Sequence, residues 1–281
     1  MPPSSRVLRR ALQGFLTRPT ILTGEVPEGL RPAQRAVVRN GSQRRISREL
    51  HLLSYNLQRA YREPEMIRTL VEATADHRPD VLLLQEVPRG LWLRPELAAV
   101  FAGRDLFYAP FHLVERPAGR YRSREYGQLI ASRFALDRTE VLELPTVTRA
   151  GLGPGHLLKR VALLAELPLR DGRKLRLANV HHEPFVWPAG RSPQHAALLQ
   201  RLQEPERPES WIDLCVGDFN ALFGVRREPG LAEWWARGFE PALPRGRHLD
   251  NALARGHREL RAVKLRKPGS DHRPLVVQVE L

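Results

Sequence analysis

Cysteine is almost absent from this chain, and lysine and long apolar runs are scarce. Cys215 stands alone among 281 residues, so no intramolecular disulfide can form, and a reducing compartment such as the cytoplasm is expected. No apolar run approaches the ~20 residues that a membrane-spanning helix requires. The N-terminus carries arginines but lacks the continuous apolar stretch of a signal peptide. Zinc loses its usual signs as well, because there is neither a cysteine cluster nor a helical His-x-x-x-His pair.

What the chain has in excess is arginine. The formal net charge is +14, and only Lys159, Lys174, Lys264 and Lys267 are lysines. Guanidinium groups bind phosphate bidentately, although a GC-rich genome produces the same bias. Residues 1–50 hold ten arginines against three glutamates, half of the net charge, which makes an anionic partner for this segment reasonable. Within it, Val7, Leu8, Ala11, Leu12, Phe15 and Leu16 recur at helical spacing between arginines, and Pro19 ends the run. A basic amphipathic helix over 5–17 could lie on a membrane surface or on nucleic acid, but one so short is expected to dock on its own domain. Residues 20–48 read as an irregular linking segment, with one turn of helix before Asn40-Gly41. The hydrophobic content of 42% suffices for a real core. The expectation is therefore a basic extension over 1–50 and one catalytic domain over 51–281, acting as a monomer.

The chain is organised around Trp211 to Asn220. An apolar strand stops abruptly at Gly217, and Asp218 and Asn220, two apart, point the same way beyond its end. Other apolar runs end similarly. His51–Leu57 breaks at Asn56, and Asp80–Glu86 ends on a carboxylate after a run apolar enough to be covered on both faces. Helices are expected over Glu65–His77, with Met66, Leu70, Val71 and Ala73 buried, and over Arg94–Ala102 and Pro193–Leu202. Antiparallel strands fill the middle, with Asp171-Gly172 turning between the last two. The alternation predicts an α/β fold, a layered sandwich of two facing mixed sheets with helices outside.

Six polar sites thus follow strands: Asn56, Glu86, Asn179/His181, Asp218/Asn220, Asp250 and Asp271/His272. Either they are unrelated turns or they converge. Their chemistry is complementary. Glu86 and Asp271 are hard oxygen ligands suited to Mg²⁺, with Mn²⁺ as a substitute. Asp218 could activate water, Asn220 could orient a phosphate oxygen, and His181 and His272 could stabilise developing negative charge. His182 faces the other side of its strand and reads as a packing or surface residue. Trp234 and Trp235 read as core and rim of a helix, whereas Trp187, in a loop past His181, is better placed to touch substrate.

Leu52-Leu53-Ser54-Tyr55-Asn56, Leu84-Gln85-Glu86-Val87, Ala178-Asn179-Val180-His181, Val216-Gly217-Asp218-Phe219-Asn220, Leu249-Asp250-Asn251 and Gly269-Ser270-Asp271-His272-Arg273-Pro274 resemble, in order, the motifs of the endonuclease/exonuclease/phosphatase superfamily. The resemblance covers residues 51–281. It implies a four-layered α/β sandwich and metal-dependent phosphoester hydrolysis. By the same resemblance Glu86 would hold the divalent metal with Asn56 and Asp271 nearby, and Asp218 would orient or deprotonate the attacking water. Asn220 would contact the phosphate, His181 and His272 would grip it, and Asp250 would fix the tautomer of His272, as a histidine donating to phosphate requires. Glu125, just before the strand from Gly127, could anchor His181 in the same way, and reads equally well as a solvated loop glutamate. A histidine at 181 resembles the deoxyribonuclease, sphingomyelinase and inositol-phosphatase branches and departs from the abasic-site repair enzymes. A nuclease acting on DNA or RNA is favoured by charge. A phospholipid or phosphoinositide head-group hydrolase anchored by residues 5–17 and a catalytically silent nucleic-acid binder are the rivals.

Overall fold

The computed structural model describes residues 36–39, 44–60, 62–114, 124–145, 147, 160–184, 186–203, 211–266 and 269–281. The helix expected over 5–17 lies outside them. Among the described residues thirteen strands form two mixed sheets. The first runs in the order β1 (Ala36–Val38), β4 (Asp105–Val114), β5 (Arg124–Ser132), β3 (Val81–Pro88), β2 (Glu49–Asn56), β13 (Leu275–Glu280) and β12 (Glu259–Lys264). The second runs β10 (Glu240–Pro241), β11 (Asp250–Arg255), β9 (Ile212–Asp218), β8 (Lys174–His181), β7 (Arg160–Pro168) and β6 (Arg138–Leu144). Each sheet has one parallel pair, β2 with β3 and β8 with β9. A helix makes each parallel crossover, α1 (Glu63–His77) in the first and α3 (Ser192–Leu202) in the second, as parallel neighbours require. Two shorter helices, α2 (Ala98–Phe101) and α4 (Ala232–Ala236), complete the mixed α/β fold.

The helix α1 begins with Pro64 in its first turn and Glu63 and Glu65 at its positive end, and stops where Arg78 turns left-handed ahead of Pro79. Alternation along the strands sorts side chains into three apolar clusters. Leu50, Leu52, Val81 and Leu83 of the first sheet share one cluster with Leu163, Leu177, Leu214 and Ala252 of the second. The opposite face of the first sheet packs Leu53, Tyr55 and Leu82 against Met66, Leu70 and Ala73 of α1. On the far side of the second sheet, Ala178, Val180 and Cys215 meet Leu198 and Leu202 of α3, with Trp234 buried beside them. At ~25 cal/mol per Å² of apolar surface removed from water, these clusters supply the main drive for folding.

Some local expectations differ from what is found. The turn of helix before Asn40 is the edge strand β1, in which Ala36–Val38 pair with Leu106–Tyr108; paired valines favour a pleated edge. Ile46, also from the segment read as irregular, is fully buried and bridges to Leu169. Of the helix expected over Arg94–Ala102, only Ala98–Phe101 is α-helical; Pro95–Leu97 forms a 3₁₀ turn, and a further 3₁₀ turn, Leu91–Leu93, precedes it. Val71 is 36% exposed, one step around α1 from the buried line of Met66, Leu70 and Ala73.

Candidate active site

The polar sites fall at one edge of both sheets. Asn56 closes β2, Glu86 lies near the end of β3, His181 closes β8 and Asp218 closes β9. The remaining two come from strands that run the other way, so they supply their first residues. Asp250 opens β11 directly opposite Asp218, and His272 precedes β13, whose Leu275 faces Ser54. His181 is in register with Asp218. Carboxyl ends of parallel strands and the start of their antiparallel neighbours thus deliver all six to the same rim.

Parity then decides which side chains enter the space between the sheets. Leu175, Leu177, Asn179 and His181 alternate inward, as do Ile212, Leu214, Val216 and Asp218. Glu86 breaks its strand's alternation. Between Leu84 and Val87 the register with β5 shifts, and Glu86 adopts a left-handed φ of 53°. Such a bulge re-aims a side chain, and here it carries the Glu86 carboxylate to 3.8 Å from His181 Nε2. Asn220 (φ 50°) and Gln58 (φ 47°) are left-handed too, so among the described residues three of the five non-glycine ones in this costly region lie at the rim, where such strain commonly marks function.

Contacts run continuously from Glu86 to Asp271. His181 Nε2 lies 3.6 Å from Asp218 Oδ2, His272 Nε2 lies 3.5 Å from the same oxygen, and Asp271 Oδ1 is 4.0 Å from His272 Nε2. Asn56 ties the sheets together, its Nδ2 donating to Asp218 Oδ2 at 2.9 Å while its Oδ1 accepts from the Gln58 backbone at 3.0 Å. The backbone N–H of Asn220 donates to Asp218 Oδ1 at 2.8 Å, and its amide Nδ2 donates to the His182 carbonyl at 2.8 Å. Since an amide nitrogen carries two hydrogens, one remains for a phosphate oxygen. Asp250 Oδ1 lies 2.9 Å from His272 Nδ1, and Lys264 Nζ holds its other oxygen at 3.2 Å.

Charge in this group is strongly coupled. Burial works against protonation of His272, but Asp218 and Asp250 outweigh it and push its pKa up to about 10. Burial raises Asp218 to about 6, with His272 pulling down and Asp250 pushing up. Asp250 stays below the ordinary carboxylate range because His272 and Lys264 more than offset its burial. His272 is therefore an anchored imidazolium at neutral pH.

Arg160 is the residue that sequence reasoning missed. Its side chain, 3% exposed, pairs Nε with Glu183 Oε2 at 3.0 Å and brings Nη1 within 3.2 and 3.3 Å of the His181 ring nitrogens. The side chain of Glu125 lies outside the described ones; Arg160, Glu86 and Asp218 are among the described neighbours of His181. Asn179, grouped with the site by sequence, instead pins the sheets. It accepts from Gln85 Nε2 at 2.7 Å and donates to the carbonyls of Leu84 and Leu129 at 3.0 Å. Gly217 is required here: at φ 143° a Cβ would sit 2.2 Å from the Val180 carbonyl oxygen.

Behind the site, His182 packs edge-on against His195 and Phe219 with ring centroids 4.4 and 5.3 Å away, as its parity predicts. Neither of its ring nitrogens has a hydrogen-bond partner, and burial, then His195, Arg191 and Arg160, push its pKa well below 6.5. A depressed histidine binds its proton first in the unfolded chain, so its stabilisation is intact above about pH 6.5 and declines as pH falls. Asp218 acts in the opposite sense below about pH 6, so comparison of wild type with His182→Phe isolates the term. Urea denaturation at pH 7.5 and 5.5 should show the wild type losing up to about 1.4 kcal/mol more per pH unit than the variant; equal losses would show that His182 accepts a proton in place.

The donors fit a hard divalent cation. Asp218 and Asp250 each offer a carboxylate oxygen within 4.8 Å of the other, with the His272 ring in the same cluster able to ligate only in its neutral form; Glu86 and Asp271 add a partly exposed and an exposed carboxylate, and oxygen predominates.

The sequence model of the Endonuclease/Exonuclease/phosphatase family matches residues 53–272, from strand β2 to the His272 motif. The chain belongs to the endonuclease/exonuclease/phosphatase family. Members are metal-dependent phosphoesterases, and the chain is a hydrolase of this kind. Among solved structures it is similar to the human Nocturnin catalytic domain with bound sulfate (22% identity, TM-score 0.62, 89% of this chain and 99% of that one). It is also similar to D. rerio TDP2 complexed with single strand DNA product (19% identity, TM-score 0.56, 83% and 99%) and to sphingomyelinase C from Streptomyces griseocarneus (16% identity, TM-score 0.58, 82% and 99%). At these identities the likeness is one of fold. No curated protein sequence matches significantly. Among the described residues no helix is long and apolar enough to cross a membrane.

Proposed function

We propose that this chain is a Mg²⁺- or Mn²⁺-dependent phosphodiesterase that cleaves nucleic acid by attack of water on phosphorus. The observation that carries this reading is the unbroken series Glu86, His181, Asp218, His272, each within 4 Å of the next. The apolar cluster shared by the two sheets and the helix-facing cluster on each outer side support a four-layered sandwich.

A divalent cation held by Glu86, with Asn56 and Asp271 beside it, would supply positive charge to the phosphoryl oxygens. Asp218, fixed by Asn56 and the Asn220 backbone, accepts a proton from the attacking water. The water oxygen bonds to phosphorus as the ester oxygen departs and takes its proton from solvent. His272 is held by Asp250, and with His181 and the Arg160 guanidinium it donates to oxygens that gain charge in the transition state. Asn220 offers its second amide hydrogen. Substrate choice is supported by the net charge of +14, which favours a polyanion whose binding weakens with salt. That the D. rerio TDP2 structure carries a single strand DNA product agrees with it.

The rival reading, a lipid head-group hydrolase, is favoured by Trp187 and Leu222, which are 70% and 57% exposed in loops that leave His181 and Asn220. DNA, RNA and phospholipid vesicles should be assayed with Mg²⁺, with Mn²⁺ and with excess chelator. Nucleic-acid cleavage that chelator abolishes is the expected outcome. Head-group release with nucleic acid left intact would replace the reading with the lipid one, and co-sedimentation with vesicles by the chain with and without residues 1–50 would test its anchor. Tight DNA binding without hydrolysis of any ester would indicate a silent relative.

A further inference from the structure

Two loops leave the catalytic strands side by side, 221–228 after Asn220 and 243–248 before Asp250. They enclose a cavity of about 400 Å³ lined by Phe223, Gly224, Pro244, Gly246 and four arginines, Arg226, Arg227, Arg245 and Arg247. Backbones touch at its floor, where a Cβ on Gly224 would lie 2.4 Å from the Gly246 carbonyl oxygen. Both walls are anchored. Buried Val225 and the Glu228 carboxylate, bound by Arg191, hold the first. The Asn251 side chain, which accepts from Leu243 N and donates to its carbonyl, holds the second. The Phe219 N–H to the Leu249 carbonyl, 2.9 Å, joins the two at their roots.

None of the four guanidinium groups has a carboxylate partner among the described residues, although ion pairs are frequent elsewhere in the molecule. Arg226 is positioned by the Trp235 ring, 4.9 Å beneath it. Concentrating four like charges around one concavity costs self-repulsion, which an anion would relieve. Arginine's fork matches phosphate. Gly224 and Gly246 each stand four residues from Asn220 and Asp250, so at roughly 3.5 Å of chain per residue the point where the two loops touch lies within about 14 Å of both.

We infer that this cavity takes a second phosphate of the substrate, one or a few linkages from the phosphate that is cleaved. The inference rests on the phosphoesterase reading above and adds a determinant of substrate choice, a preference for chains or head groups bearing more than one phosphate. A nucleic-acid backbone supplies such a phosphate, as does a multiply phosphorylated inositol.

The test pairs binding with turnover. Inorganic tripolyphosphate, titrated by calorimetry without divalent cation, should bind the wild type and bind the variants R226E/R227E and R245E/R247E at least tenfold more weakly. The ratio of kcat/KM on a phosphorylated oligonucleotide to that on bis(4-nitrophenyl) phosphate, which has one phosphate, should fall at least tenfold in both. The salt dependence of oligonucleotide binding should flatten by about 0.7 in log–log slope for each phosphate that is no longer bound. All four arginines are exposed, so circular dichroism should confirm an intact fold. Equal tripolyphosphate affinity in wild type and variants, or a ratio unchanged for the oligonucleotide and for glycerophosphoinositol bisphosphate alike, would overturn the assignment. Tripolyphosphate binding that depends on these arginines in a protein that hydrolyses no phosphoester would leave the pocket standing and remove the catalytic reading. A parallel arm with glycerophosphoinositol bisphosphate identifies the source, since the ratio should collapse only for the substrate class whose phosphate enters the cavity.

Discussion

His272→Ala should lower kcat on a phosphodiester by roughly 10²- to 10⁴-fold, the range expected when a positioned proton donor to the transition state is removed. Its Nε2 faces Asp218, its Nδ1 is held 2.9 Å from Asp250, and the paired carboxylates keep it protonated. Because the charge it meets is greater in the transition state than in bound substrate, kcat and kcat/KM should fall together while KM changes little. Asp250→Asn keeps the shape but withdraws the charge that anchors the ring, and should reduce kcat in the same direction. Steady-state kinetics at saturating Mg²⁺ or Mn²⁺ measure both. A His272→Ala protein retaining more than a tenth of wild-type kcat would dissolve the assigned centre.

Glu228→Ala should be strongly destabilising while leaving every rim residue in place. Glu228 receives both Arg191 Nη2 at 2.6 Å and Arg191 Nε at 3.1 Å, with both side chains at most 2% exposed. Burial raises the Glu228 pKa, but His195 and Arg191 lower it further, so the carboxylate stays ionised. Truncating one partner leaves a guanidinium in the interior without its counter-charge, a loss of about 3–5 kcal/mol. For a domain of this size that corresponds to a fall in Tm of roughly 10 °C or more. Arg191 also donates to the Val186 carbonyl at 3.0 Å, so the loop carrying Trp187 should loosen as well. Arg191→Met combined with Glu228→Leu should recover much of the loss, since apolar pairs of similar volume replace buried ion pairs well. Scanning calorimetry of the three proteins decides the matter; a Tm within 2 °C of wild type for Glu228→Ala would show that water reaches the pair.

Much of this centre was legible from the chain alone. The motif series implied Asp250 as the anchor of His272, a role with physical sense because a histidine that donates to phosphate needs its second nitrogen fixed, and the two side chains lie 2.9 Å apart. His182 was assigned by strand parity to packing or to the surface, and it packs. Other features left no sequence signal. Arg160 opens an apolar strand, where a charged residue ordinarily marks a solvated end, yet it is buried between His181 and Glu183. Asn179 shares its face with His181 and looked like part of the site until its bonds to Gln85, Leu84 and Leu129 showed it pinning one sheet to the other. Glu86 would face the helix layer by simple alternation, and only the bulge at its own backbone turns it inward.

The sequence by itself determined which chemistry is present and at which strand ends it stands, because hydrophobic period and turn residues are local properties, read over a few positions. Tertiary structure alone decided adjacency: that Glu86, His181, Asp218 and His272, drawn from two sheets, share one rim, and that four exposed arginines close around one cavity. Those outcomes depend on strand register, on a bulge and on how two sheets pair, which are set by interactions between residues tens to hundreds of positions apart, and no local period encodes them.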